Sequence, residues 1–147
     1  MRSWIIILLL ATFVSCSQTR ETAEKDQKVQ TYIDLLKQGL DLDTLQPYFY
    51  RYPDGSLYPL TVADEVLSSR VDKPVIEKFG HPVTFMSKVA ADSAVLESYF
   101  WVIDYQQHGD DARIQLEDPI RHVLFGATYS RIPSDWHLES VYLDQSD

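Results

Sequence analysis

The chain has one cysteine, Cys16, so it cannot close an internal disulfide. Its five glycines form neither a phosphate-cradling loop nor a Gly-x-Ser-x-Gly nucleophile elbow. His-Glu-x-x-His and paired cysteines are missing too, and His81, His108, His122 and His137 are scattered without metal-ligand spacing. No metal and no cofactor is expected. Basic residues are scarce, 13 against 22 acidic ones, and no basic stripe exists to neutralise phosphates. Nucleic acid is therefore not an expected partner. The acids are dispersed, with Asp110-Asp111 and Glu117-Asp118 the longest runs, which reads as a solvated surface. A calcium site would need oxygen ligands gathered in one tight loop, and none is present in the sequence.

One long apolar run does occur, from Trp4 to Val14, broken only by Thr12. It follows a single positive charge at Arg2 and ends in small residues, the build of a secretory signal. A membrane span needs about 20 apolar residues, more than this run has. "FVSC" (Phe13 to Cys16) resembles the bacterial lipobox, with Val14 and Ser15 fitting the pattern and Phe13 in place of the usual leucine. That resemblance implies cleavage before Cys16, whose thiolate would accept a diacylglyceryl group and hold the chain at a membrane by several acyl chains. Ser17 after the cysteine, rather than Asp, implies the outer membrane. An ordinary signal cut after Ser17, releasing a secreted or periplasmic protein, stays open, as does a structural thiol.

The expected organisation is thus a signal over residues 1–15, a lipidated cysteine and flexible tether over 16–28, and a single domain over 29–147. Losing Arg2 with the signal leaves 12 basic residues against 22 acidic ones. The remaining length is enough to bury a core without disulfide or metal staples.

Val29, Tyr32, Ile33, Leu36 and Leu40 recur at helical spacing, and the pattern predicts a helix from Glu24 to Gln38 with Gly39 as its stop. A short helical turn follows, with Asp43 as cap. "YFYRYPDGSLYPL" (Tyr48 to Leu60) places two aromatic arms about Pro-Asp-Gly and predicts a small hairpin. Thr61 then opens a second helix with Val62, Val66 and Leu67 on its apolar side and Asp64 or Glu65 in its first turn. "DKPVIEKFGHP" (Asp72 to Pro82) predicts another, capped by Asp72 and stopped by Gly80. From Val83 onward, β-branched and aromatic runs separated by "HGDD" and "IPSD" predict antiparallel strands. In one of these, Val95, Tyr99, Trp101, Ile103 and Tyr105 share a face, opposite Leu96, Phe100 and Val102.

Helices followed by long strands make an α+β fold. "VQTYIDLLKQGLDLDTLQPYF" (Val29 to Phe49) and "DWHLESVYL" (Asp135 to Leu143) resemble the NTF2-like (cystatin-like α+β) superfamily. In that family such a front reads helix, Gly-Asp-Leu-Asp-x-Leu, short helix; Gly39 to Leu45 here reads "GLDLDTL", one residue longer. The resemblance implies N-terminal helices packed on a curved antiparallel sheet shaped as a cone. The alternative is a plain helix pair on a sheet, as in small outer-membrane assembly lipoproteins, which "IEKFGHP" (Ile76 to Pro82) resembles.

Three functions follow as expectations. The first is a membrane-anchored envelope lipoprotein whose domain supports an envelope assembly or binds a protein partner, or a second copy of itself, through an exposed aromatic patch at Tyr50, Tyr52 and Tyr58. The second is a small-molecule binder whose cone is lined by aromatics such as Tyr99 and Trp101. The third is an isomerase or hydrolase in which Asp104, desolvated inside that cone, acts as base with His122 or Tyr129 assisting, as NTF2-like enzymes do with acidic or histidine bases.

Overall fold

A computed structural model describes residues 3–145, with side chains from residue 22 onward. The signal, the lipobox-like stretch and Cys16 lie outside the residues whose side chains are described. The chain divides into two compact units, the first ending at Asp34 and the second running from Leu35. The first consists of helix α1, which spans Ser3–Leu40 and continues into the second unit. Residues 22–28, read from composition as a tether, belong to this helix, where Lys28 pairs with Glu24 at 2.9 Å and Gln30 donates to Asp34 at 3.0 Å. Such i,i+4 pairs support an exposed helix only weakly, because solvent screens them. The helix runs through Gly39, the expected stop, and ends one residue later.

The second unit is α+β, as expected, built on a mixed six-stranded sheet that does not close into a barrel. Its strands are β1 (Thr61–Ala63), β4 (Thr84–Met86), β5 (Phe100–His108), β6 (Asp111–Asp118), β7 (Val123–Ile132) and β8 (Asp135–Gln145). Their order is β4-β1-β5-β6-β7-β8. β5 to β8 form the expected antiparallel meander, with turns at Gly109-Asp110 and Pro133-Ser134 where "HGDD" and "IPSD" place them. β1 pairs in parallel with both β4 and β5.

Three expectations need correction. Thr61 to Ala63 is a strand, not the start of a helix. Asp64 is extended (φ −152°, ψ 117°) and its carboxylate caps the one-turn helix α2 (Glu65–Ser68), accepting from Val66 N at 2.7 Å and Leu67 N at 2.9 Å. Residues before an N-cap are outside the helix, and the helical spacing of Val62 and Val66 is coincidental. The second correction concerns Asp72 to Pro82, which forms no helix. β2 (Glu77–Lys78) and β3 (His81–Pro82) make a hairpin about Phe79 (φ 57°) and Gly80 (φ 77°). Positive φ at both turn residues matches the right-handed twist of the flanking strands, so Gly80 serves a turn rather than a helix stop. The third is "VTFMSKVA", whose second half is helix α3 (Lys88–Ser93), capped by Ser87 Oγ accepting from Ala90 N at 3.2 Å.

The 3₁₀-helix Asp43–Tyr48 lies where a short helix was expected, but its cap position is Leu42 and Asp43 makes no cap bond. Phe79 then stacks edge-on against Phe49 (4.8 Å, 76°), and Phe49 against Phe100 (5.7 Å, 82°). Lys78 lies over both Phe49 and Phe79 and pairs with Asp41 at 2.5 Å. These contacts fasten the 77–82 hairpin to the segment after α1.

The buried side of the sheet is set by alternation. Ala112, Ile114 and Leu116 of β6 face the same way as Phe125, Ala127 and Tyr129 of β7, and all are buried. Leu35, Leu36 and Leu40 are fully buried as well, and Gly39 sits 3.5 Å from Tyr129 Oη and 3.8 Å from Ile114 Cγ2, counting from where its Cβ would be. The last turn of α1 therefore covers this inner face. Each such leucine contributes about 1.5–3 kcal/mol by burial.

Tyr129 is nearly inaccessible, and its hydroxyl has no hydrogen-bond partner. Burial pushes its pKa up to about 12, and does the same for Tyr105. Both folded values exceed the ordinary tyrosine value near about 10. Their contribution to stability is therefore complete below about pH 10 and is lost as pH rises through about 12. Absorbance at 295 nm should show these two tyrosines ionising last, and Tyr129→Phe should remove one late step. An unpartnered buried hydroxyl costs about 1–3 kcal/mol, so Tyr129→Phe should also raise the urea midpoint. A clear loss of stability would mean that the hydroxyl is engaged after all.

Candidate functional site

The expected hairpin of tyrosines exists. Tyr52 N donates to Ser56 O at 2.8 Å, Tyr58 N to Tyr50 O at 3.0 Å, and Arg51 bridges to Leu57 across the two arms. Gly55 takes φ 86° at the tip. Asp54 accepts from Ser56 N at 2.9 Å and Ser56 Oγ at 2.6 Å, bonds that hold its carboxyl below the usual range. Arg51 Nη1 donates to Gly55 O at 3.0 Å, which ties the tip from the side.

The structure brings Tyr50, Tyr52 and Tyr58 together. Tyr52 stacks on Tyr58 with ring centres 3.7 Å apart and planes at 14°, while Tyr50 meets Tyr58 edge-on at 6.2 Å. Tyr52 nevertheless stays 40% exposed. The Arg121 guanidinium lies 4.1 Å over the Tyr50 ring and donates through Nη1 to Tyr48 O at 2.6 Å. Tyr58 Oη donates to Glu97 at 3.4 Å; desolvation and then the Glu97 charge raise its pKa. The rings thus form a braced platform.

Strained backbone collects around it. Among the described residues, the non-glycine positions with positive φ are Phe79 (57°), Val95 (51°) and His122 (57°). Each is at or within two residues of a side chain that reaches segment 48–58: Phe79 itself packs on Phe49, Val95 precedes Glu97, and His122 follows Arg121. Left-handed backbone is most costly for a β-branched residue such as Val95, about 1–2 kcal/mol. Val95 lies in a turn and is exposed, not on the strand face expected for it.

Tyr99 and Trp101 belong elsewhere. Tyr99 is buried and donates to Asp92 at 2.5 Å. Lys88 pairs with Asp92 at 2.6 Å and lies 5.7 Å over the Tyr99 ring and 5.0 Å over that of Trp101. Burial first, then Asp92, raises the Tyr99 pKa, and the hydrogen bond from Lys88 lowers that of Asp92. These residues dock α3 on the sheet.

Asp104, His122 and Tyr129 are not brought together. The β5–β6 register slips between Val102 and Asp104, where Ile103 is the extra residue of a bulge. The slip sends Tyr105 to the inner face opposite Ile114 and Asp104 to the outer face opposite Gln115. There Asp104 accepts from Arg113 Nη2 at 2.9 Å and from Gln106 at 3.0 Å. Tyr129 lies on the inner face, and His122 sits in the β6–β7 turn. Among the described residues, no three His, Cys, Asp or Glu side chains cluster to hold a metal, and no helix is long and apolar enough to cross a membrane.

Two residues of this picture were not singled out from the sequence. Arg113 could have been found only with the bulge known, and Arg121 lies 71 positions from Tyr50 with no local signal to link them. Arg121→Ala removes both the ring contact and the bond to Tyr48 O, together about 1–2 kcal/mol. The hairpin should open more often, and trypsin should cleave after Arg51 roughly five- to thirtyfold faster. An unchanged cleavage rate in a folded variant would show that Arg121 does not brace the hairpin. Comparisons with protein-family models, with curated proteins and with solved structures each gave no match.

Proposed function

We propose that this chain is a lipid-anchored envelope protein, held at the outer membrane through Cys16, whose domain docks a protein partner on the tyrosine hairpin. The observation that carries the docking surface is Tyr52, stacked on Tyr58 yet 40% exposed. A ring held flat by its neighbour presents apolar area at little entropic cost, and Tyr beside Arg is the composition enriched at binding hot spots. Arg51 and Arg121 supply the cations. The anchor rests on the apolar run and the lipobox-like "FVSC". The domain reads as a variant of the NTF2-like fold. That reading is supported by the four-stranded meander and by the last turn of α1 against Ile114 and Tyr129, with the short parallel strands and the 77–82 hairpin as additions.

Two measurements on the full chain in a bacterial host with two membranes test this. Cys16→Ser should move the protein from the membrane pellet to the soluble fraction; retention in the pellet would overturn the anchor. A photo-crosslinking amino acid at position 52 should trap one discrete species that the same probe at exposed position 95 does not. Tyr58→Ala should cut that adduct about tenfold or more, the loss of a hot spot worth about 2 kcal/mol. The same adducts from both positions, or none from position 52, would overturn the docking surface.

A further inference from the structure

The outer face of the meander carries a second feature, independent of the hairpin. Two bulges interrupt its strands. One adds Ile103 beside Asp104 on β5; the other leaves Glu139 unmatched on β8, between Leu138 opposite Tyr129 and Ser140 opposite Thr128. Bulges re-aim side chains and are enriched beside active sites. Here they flank a cleft of about 270 Å³ whose lining includes Gln106, His108, Asp111, Arg113, Thr128 and Glu139.

The chemistry of the cleft has both signs. Arg113 uses one nitrogen, Nη2, for both Asp104 (2.9 Å) and Gln115 (3.1 Å). Its Nε is sealed inside the protein, while the side chain as a whole stays partly open to solvent. Asp111 and Glu139 supply two carboxylates on the same lining. An anion alone would meet those carboxylates, and a cation alone would meet Arg113. A zwitterion answers both. The volume is below the roughly 300–1,000 Å³ of pockets for drug-sized ligands, which suits a molecule of a few heavy atoms.

We propose that this cleft binds a free α-amino acid, its carboxylate on the Arg113 guanidinium and its ammonium against Glu139 and Asp111. The Arg113 side chain is 43% exposed beside the cleft, so a ligand carboxylate can reach its guanidinium.

The test is calorimetric titration of the full chain in detergent with each of the twenty standard amino acids in turn. At least one should bind with a Kd below about 1 mM. Its N-acetyl and methyl ester derivatives, each lacking one charge, should bind at least about tenfold more weakly. Glu139→Gln, an exposed position, should cost a similar factor with the unfolding midpoint unchanged, and Arg113→Gln should abolish binding. Arg113→Lys, which keeps a charge beside Asp104, should fold normally and still lose most of the affinity. Silence from all twenty at about 10 mM with a folded chain would overturn the site, as would binding that survives both derivatives or Glu139→Gln. Crosslinking at position 52 reports on the hairpin alone, so either proposal can fail without the other.

Discussion

The cross-strand register of β5 to β8 is the constraint on which the rest of the second unit depends. Side chains alternate faces with a period of two, so a slip of one residue exchanges core and surface. Over β6 and β7 the alternation runs unbroken from the Asp111↔Ser130 pair to the Asp118↔Val123 pair, and every inner residue from Ala112 to Leu116 is buried. The flanking strands each break it once. On β5 the break turns Tyr105, half-buried, to the inner face and Asp104 to the outer one. On β8 it frees Glu139 from pairing and lets Val141 and Leu143 turn inward against Ala127 and Phe125. The polar residues that β5 and β8 add to the outer face beyond the breaks therefore depend on these two bulges. Tyr142 completes it, its ring lying over Gly126, where no side chain would fit, and its hydroxyl meeting Gln115.

The β6–β7 turn links this sheet to the hairpin. Asp118 is buried, and its Oδ1 accepts from Ile120 N at 3.0 Å and Arg121 N at 3.1 Å. These bonds shape the turn in the way of an Asx motif. Arg121 also stays within 3.7 Å of the Asp118 carboxylate through Nε while its other end serves Tyr48 and Tyr50. One short turn thus closes the meander and aims the guanidinium that braces the tyrosines. Long-range placement of Arg121 follows from a local hydrogen-bond pattern four residues long.

What was legible in the sequence is what local physics decides. The α+β class, the four long strands, the Pro-Asp-Gly hairpin and Glu65 as a first-turn residue all rest on periodicity or turn chemistry within a few positions. What was hidden depends on partners far along the chain. Thr61-Val62-Ala63 is a strand because β4 and β5 flank it, and three residues carry no periodicity of their own. Gly80 was misread because a glycine after an apolar stretch suits a helix stop and a hairpin turn equally. Asp104 reads as a buried candidate because the run around it is apolar on both faces; only pairing with β6 reveals the bulge. The clustering of Tyr50, Tyr52 and Tyr58 was legible, whereas their brace was not.

Strain gives the hairpin a significance that exposure alone would not. Left-handed conformations at Phe79, Val95 and His122 are costs that the surrounding structure must impose. Relaxing any of them would shift a group that touches segment 48–58: the Phe79 ring on Phe49, the Glu97 carboxylate on Tyr58, or Arg121 on Tyr50. Three separate loops converge on one short segment, each carrying its own backbone penalty. If the tyrosines merely filled space, packing would favour burying them, and Tyr52 would not be left open at the top of the stack. A segment held from three sides and finished with an exposed ring is preorganised, and rigidity of that kind lowers the entropic cost of any binding that takes place there.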